Sequence, residues 1–301
     1  MFKSSTPFAL DVPDGADLLQ LLSIDACMLA SPTSAVQPRT VGLVAPHPQE
    51  PDVLAHPVGR AGMVMLCMQT ETRTAPAALL RERVEQQCKQ LERATGPKPG
   101  RAQRREITEH IRLDMLGAAF PRKRRTLILL APQAGLVLIE GTSNATFDDA
   151  LTLLAGLLPK AFGIAVYPLR TLLSTDAELE AWALRGCPDG LELGQRLALH
   201  GPEGEAVSYA DLDLERAADE IDHHISTDRY SVSRLEITWR RRVSFVIDPA
   251  LRLRRVRLLD TPDDIDPSDA ADDWSSTALI TASELTACVR SLVDDHFGGL
   301  A

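Results

Sequence analysis

Between Ala75-Pro76 and Gly96-Pro97-Lys98-Pro99-Gly100, apolar side chains recur at three- and four-residue spacing: Leu80, Val84, Gln87/Cys88 and Leu91. That period predicts an amphipathic helix, with proline and glycine marking both of its ends. A second helix follows from about Arg101 to Leu116. At 100° per residue, Ile107, Ile111 and Met115 form one stripe, and Arg101, Arg105 and Arg112 fall within about 40° of one another on a different stripe. After Phe120-Pro121, the run Arg122-Lys123-Arg124-Arg125 stands at the entry to a strand.

Further along, the period shortens to two. Leu235 to Trp239, Val243 to Ile247 and Leu251 to Leu258 are β-rich runs separated by Arg240-Arg241-Arg242 and Asp248-Pro249-Ala250, the pattern of an antiparallel meander. Leu251 and Leu253 alternate with Arg252 and Arg254, which places these arginines on the solvent face. The alternation slips at Arg255-Val256-Arg257, as a β-bulge requires.

The rest of the chain mixes both periods. The first 75 residues read strand (Phe8 to Val12), helix (Gly15 to Leu29), strand (Thr40 to Ala45) and strand (Met63 to Glu71), with a Pro/His-rich loop from about Ala45 to Pro57. Residues 126 to 168 read strand, turn at Gln133-Ala134-Gly135, strand, helix (Phe147 to Leu158) and strand (Ile164 to Tyr167). A strand-rich stretch, a helix from about Leu214 to Ile225, the meander and a helix from about Ser283 to Phe297 complete it. The expected fold class is α+β: small α+β units at 1–75 and 126–185 flank a basic helical pair at 76–125, and a strand-rich region with helices occupies 186–301.

Charge changes the picture. The chain carries 32 basic and 42 acidic residues, a net of −10, which by itself argues against a polyanionic partner. Arg81 to Arg125 nevertheless holds 13 cations against 6 acids, and Arg234 to Arg257 holds 8 against 2. The remainder therefore carries a net of −23, so two basic regions sit on an acidic body. The Arg122 to Arg125 run is not neutralised locally, since no acid lies between Asp114 and Glu140.

Other chemistries find little support. The longest apolar stretch, Ala150 to Leu158, falls short of the roughly 20 residues of a membrane span. The N-terminal residues lack a secretory h-region, so a cytoplasmic protein is expected. Cys27, Cys67, Cys88, Cys187 and Cys288 are never closer than 21 positions, a spacing that suggests neither a disulfide framework nor a zinc site. Phosphate-loop, dinucleotide, nucleophile-elbow and zinc-protease motifs are absent, and neither an enzyme nor a cofactor is expected. His223-His224 are adjacent and point about 100° apart, a poor chelating pair. Phe120, beside four cations, fits a core position, a contact between subunits or a base-stacking surface, with core or interface the commoner use.

The start Met1-Phe2-Lys3, the charged helices ending in Leu116-Gly117-Ala118-Ala119-Phe120, and the segment Glu220 to Ile225 followed by Leu235 to Val246 together resemble the bacterial recombination-associated RdgC family, in matching order along nearly the whole chain. The resemblance implies a ring-shaped homodimer that encircles single- and double-stranded DNA without reading sequence, associates with the nucleoid, and hinders the RecA recombinase by competing for DNA. Carried onto this sequence, Lys89, Arg93, Arg101, Arg105 and Arg112 with Arg122, Lys123, Arg124 and Arg125 become the DNA-binding lining, and Phe120 the subunit contact. Arg242, Arg252 and Arg254 on the meander join them as candidate DNA contacts. The segment Ser208 to Asp213, basic in some relatives, is acidic here. A second reading is a metal-dependent nuclease using Asp263, Asp264 and Asp266 of the acidic Asp260 to Asp273 run, with His296. A third is a module for an acidic protein, with Arg242 and Arg254 paired to its carboxylates.

Overall fold

The computed structural model describes residues 1–13, 18–22, 37–59, 62–158, 164–169, 171, 173–211, 213–214, 216–259 and 270–299. Its elements, in order, are β1 (Ser4–Asp11), α1 (Leu18–Leu21), β2 (Arg39–Val44), β3 (Ala55–Val58), β4 (Met63–Thr72), α2 (Ala77–Thr95), α3 (Arg101–Ala118), β5 (Arg122–Ala131), β6 (Leu136–Glu140), α4 (Asn144–Leu157), β7 (Ala165–Pro168), α5 (Thr175–Arg185), β8 (Leu191–His200), β9 (Ala206–Tyr209), α6 (Ala218–Asp222), β10 (Ser231–Trp239), β11 (Val243–Ile247), β12 (Leu253–Leu258) and α7 (Ala270–Ser291). The strands pair as an antiparallel sheet in the order β2-β4-β5-β6-β1-β12-β11-β10-β8-β9, with β3 on β4 and β7 on β1. The chain divides into two compact units, one of residues 1–26, 45–67 and 126–301, the other of residues 27–44 and 68–125.

In the first unit, sheet residues with period two supply the core. Leu197, Leu199, Leu235, Ile237, Phe245, Ile247 and Leu253 cluster with Leu179 and Trp182 of α5, Ile221 of α6, and Ala282, Leu285 and Val289 of α7. Each such aliphatic contributes about 1.5–3 kcal/mol by leaving water. The meander forms as its alternation predicts: β10 pairs β11 from Leu235↔Ile247 to Trp239↔Val243, and β11 pairs β12. The expected bulge is present, because the β11–β12 register jumps from Ser244↔Arg257 to Val246↔Arg254. Gly194 on β8 is needed for close approach, since a Cβ there would lie 2.5 Å from the Glu236 side chain.

The second unit is a helical hairpin with β2 and the outer halves of β4 and β5. Helix α2 ends at Gly96, whose φ of 88° suits glycine and whose N–H donates to the Glu92 carbonyl. Gly100 then opens α3, its N–H donating to Gln103 Oε1 at 3.2 Å. The far end of α3 is closed by Arg73, whose guanidinium donates to the Leu116 and Gly117 carbonyls at 3.3 and 2.9 Å. The stripe positions Leu80, Cys88, Leu91, Ile107 and Ile111 are half-buried, and Val84, Met115 and Leu116 are the hairpin's buried residues.

Several elements differ from the sequence expectation. Ala55–Val58, inside the expected Pro/His-rich loop, is a strand paired with Met63 to Leu66. Helix α5 was not expected: its turns carry Asp176, Glu178 and Glu180, and only Leu179, Trp182 and Ala183 are buried, too narrow an apolar face to stand out by period. The helix expected from Leu214 is regular only over Ala218–Asp222 and widens into a π turn at His223–Thr227. Of the expected helix Gly15 to Leu29, the regular part among the described residues is Leu18–Leu21.

Candidate nucleic-acid interface

Within the hairpin unit, Lys89, Arg93, Arg101, Arg105, Arg122 and Arg124 are exposed, and among the described residues none has a carboxylate within ion-pair distance. Arg101, Arg105 and Arg112 occur on one helix as the 100° rule requires, over a rise of about 16 Å. Arg112 is also exposed and makes a loose 3.5 Å pair with Glu109 one turn back. Arg81, Arg83, Lys98 and Arg104 are likewise exposed, without an ion-pair partner among the described residues. They were missed as individual candidates because they lie off the Arg101 stripe, although the regional charge count already contains them.

The four-cation run lies within β5 itself, as its first four residues, rather than before it. Two of its members are tied to the neighbouring strand. Lys123 Nζ sits 3.2 Å from the carboxylate of Glu71, which is nearly fully buried, and Arg125 Nε donates to Gln69 Oε1 at 3.3 Å. Gln69 in turn donates to Glu71 at 3.0 Å, so one buried acid anchors this corner and leaves Arg122 and Arg124 uncommitted. Phe120, between α3 and β5, is 96% exposed, so a core role in the single chain is excluded.

The meander arginines are placed differently. Arg252 and Arg254, expected on an open solvent face, are half-buried and serve as fasteners in the first unit. Arg252 donates to the Thr142 carbonyl at 3.3 Å and to Asn144 Oδ1 at 2.8 Å, and its guanidinium lies over the Phe147 ring at 5.7 Å. Arg254 donates to Thr142 Oγ1 at 2.8 Å and lies 3.7 Å from Asp248. Arg242 pairs with Glu284 of α7 at 2.5 Å. The carboxylates of Arg242 and Arg254 are thus the chain's own, which removes the basis for the reading as a module for an acidic protein. On the same sheet, Arg234, Arg255 and Arg257 are exposed and unpaired among the described residues.

Asp263, Asp264 and Asp266 lie outside the described residues. His296 packs edge-on against Trp182 at 5.9 Å, and burial, assisted by the charge of Arg240, pushes its pKa below the usual imidazole value. Among the described residues no group of three or more His, Cys, Asp or Glu side chains is placed to hold a metal ion. The nuclease reading finds no support among the described residues. Cys88, Cys187 and Cys288 are free thiols, and burial raises the pKa of Cys187 to about 12. Among the described residues no helix is long and apolar enough to cross a membrane.

Fold and surface together define a mixed α+β protein with an antiparallel sheet, of 12 strands among the described residues, and a cation-rich helical hairpin. The chain belongs to the RdgC family: residues 1–300 match the family described as "Putative exonuclease, RdgC". It is 30% identical over 275 residues to the recombination-associated protein RdgC of Laribacter hongkongensis, covering 90% of this chain and 88% of that one. It is 28% identical over 281 residues to the recombination-associated protein RdgC of Halorhodospira halophila, covering 91% of this chain and 90% of that one. A third relative of the same name, from Janthinobacterium sp., is 28% identical over 301 residues, covering 97% and 96%.

Proposed function

We propose that this chain is a non-enzymatic, sequence-independent DNA-binding protein, taking both single- and double-stranded DNA, that modulates RecA-dependent homologous recombination. The observation that carries the reading is the exposed, uncompensated cation surface of α2, α3 and the start of β5 on a chain whose net charge is −10. Guanidinium and ammonium groups without carboxylate partners are free to replace the counterions condensed on DNA, and release of those ions drives binding without reading bases. The protein acts as a homodimer in which Phe120 meets the second copy, and the paired chains encircle DNA as a nucleoid-associated ring. Occupying the duplex or strand in this way competes with the recombinase for the same DNA.

Replacing Arg101, Arg105 and Arg112 together by Ala tests the reading. If each contacts a phosphate, the slope of log affinity against log salt becomes less negative by about 2.7, since each contact adds about −0.9. An unchanged slope in a filter-binding or fluorescence-anisotropy titration removes these residues from the interface.

A further inference from the structure

We propose that the outer face of the β8–β12 sheet carries a binding pocket for a single phosphate group, built by Arg196, Arg234, Arg254 and Arg255 with the hydroxyl of Ser208. These side chains line a cavity of about 190 Å³. Ligand pockets for whole small molecules run roughly 300–1,000 Å³, so this smaller cavity suits a group the size of one tetrahedral oxyanion.

The sheet register explains why these residues meet. Ser208 on β9 pairs with Ala198 on β8, and Ala198 with Arg234 on β10, so the three share a face. On the other side Arg254 of β12 opposes Val246 of β11, which in turn opposes Glu236, two residues beyond Arg234 on β10. Regular alternation would send Arg254 and Arg255 to opposite faces. The β12 bulge overrides it: Arg255 takes a left-handed φ of 52°, and both arginines line the same cavity.

The charges are incompletely compensated. Arg196 is held by Asp211 at 2.8 Å and by Glu236 at 3.9 Å, and Arg254 lies 3.7 Å from Asp248. Arg234 and Arg255 have no ion-pair partner among the described residues. The Nε–H of Arg254 is buried and has no acceptor among the described residues. A buried guanidinium donor without an acceptor, beside two unpaired cations in a phosphate-sized recess, is complementary to an oxyanion that accepts several charge-assisted hydrogen bonds at once. The backbone strain at Arg255, a non-glycine residue at positive φ, is what delivers the fourth guanidinium. All the residues belong to the first unit and none to the helical hairpin, so the proposal does not rest on the DNA reading.

The test is calorimetric titration of the full chain with sodium phosphate against sodium chloride at matched ionic strength, using the wild type and the double variant R234Q/R255G. Arg234 is exposed and unpaired, and glycine accepts the left-handed backbone at 255, so the variant is expected to melt no lower than the wild type. The expected result is saturable phosphate binding in the wild type, weakened roughly tenfold or more in the variant. Absence of saturable binding beyond chloride, or equal affinity in the two proteins, overturns the proposal. A second arm identifies the source of the phosphate by titrating labelled duplex at constant ionic strength with and without phosphate. Weaker duplex binding in the wild type but not in the variant assigns the pocket to a DNA backbone phosphate. Duplex binding indifferent to phosphate, with the calorimetric signal intact, assigns it to free phosphate or a phosphomonoester.

Discussion

Arg252 and Arg122 carry the same charge, yet one is hydrogen-bonded to Asn144 and Thr142 and the other faces water without a carboxylate partner. Sequence shows which residues are cations and, through period, which face they share. It does not show which are already committed, because the hydrogen-bond partners Thr142 and Asn144 of Arg252 and Arg254 lie more than 100 positions upstream and the partner of Arg242 is Glu284. The hairpin cations were legible because their surroundings are local: the acids of α2 and α3 are too few to pair with them all. His296 gives a test at this scale. Unfolded, its imidazole takes up a proton near its ordinary value of about 6.5. In the fold, burial resists that protonation, so native stability is intact above this pH and declines as pH falls below it. The variant His296→Phe is expected to lose less melting temperature than the wild type between pH 7 and pH 5. Parallel losses in circular-dichroism melts would contradict the assignment.

Helices α2 and α3 matched their sequence reading closely because Pro76, Gly96-Pro97 and Gly100 punctuate them and their apolar stripes are regular. The short elements were harder to see. Strand β3 is four residues, Ala55-His56-Pro57-Val58, and owes its conformation to pairing with β4 rather than to its own propensity. Helix α5 hides its narrow apolar face among charged residues, and α6 loses regularity where the π turn begins at His223. The hairpin itself is long but thinly packed, with Val84, Met115 and Leu116 as its buried residues, whereas β6 is almost wholly buried. Local opening free energy follows packing, so the amides of α2 and α3 are expected to exchange with deuterium at least about a hundredfold faster than those of β6. Equal protection would show that the hairpin is held by more than the contacts within the chain.

For the chain as a whole, charge is segregated along the sequence: the sum is −10, but Arg81 to Arg125 alone carries 13 cations against 6 acids. Phe120 stands 96% exposed at the end of the basic hairpin, an apolar anchor with nothing covering it in the single chain. Truncating an interface aromatic typically costs about 2–4 kcal/mol, so Phe120→Ser is expected to weaken self-association roughly 30- to 1,000-fold, read by sedimentation of the two proteins side by side. An unaltered dimer would move the interface elsewhere. The central claim, binding to DNA through charge rather than sequence, is tested most directly by titrating the wild-type protein with two labelled duplexes of unrelated sequence across 50 to 300 mM salt. The account predicts equal affinities for both and a steep fall with salt, of roughly 10³- to 10⁵-fold between 50 and 200 mM for 6 to 10 phosphate contacts. Absence of binding at 50 mM, or strong preference for one duplex, would contradict it.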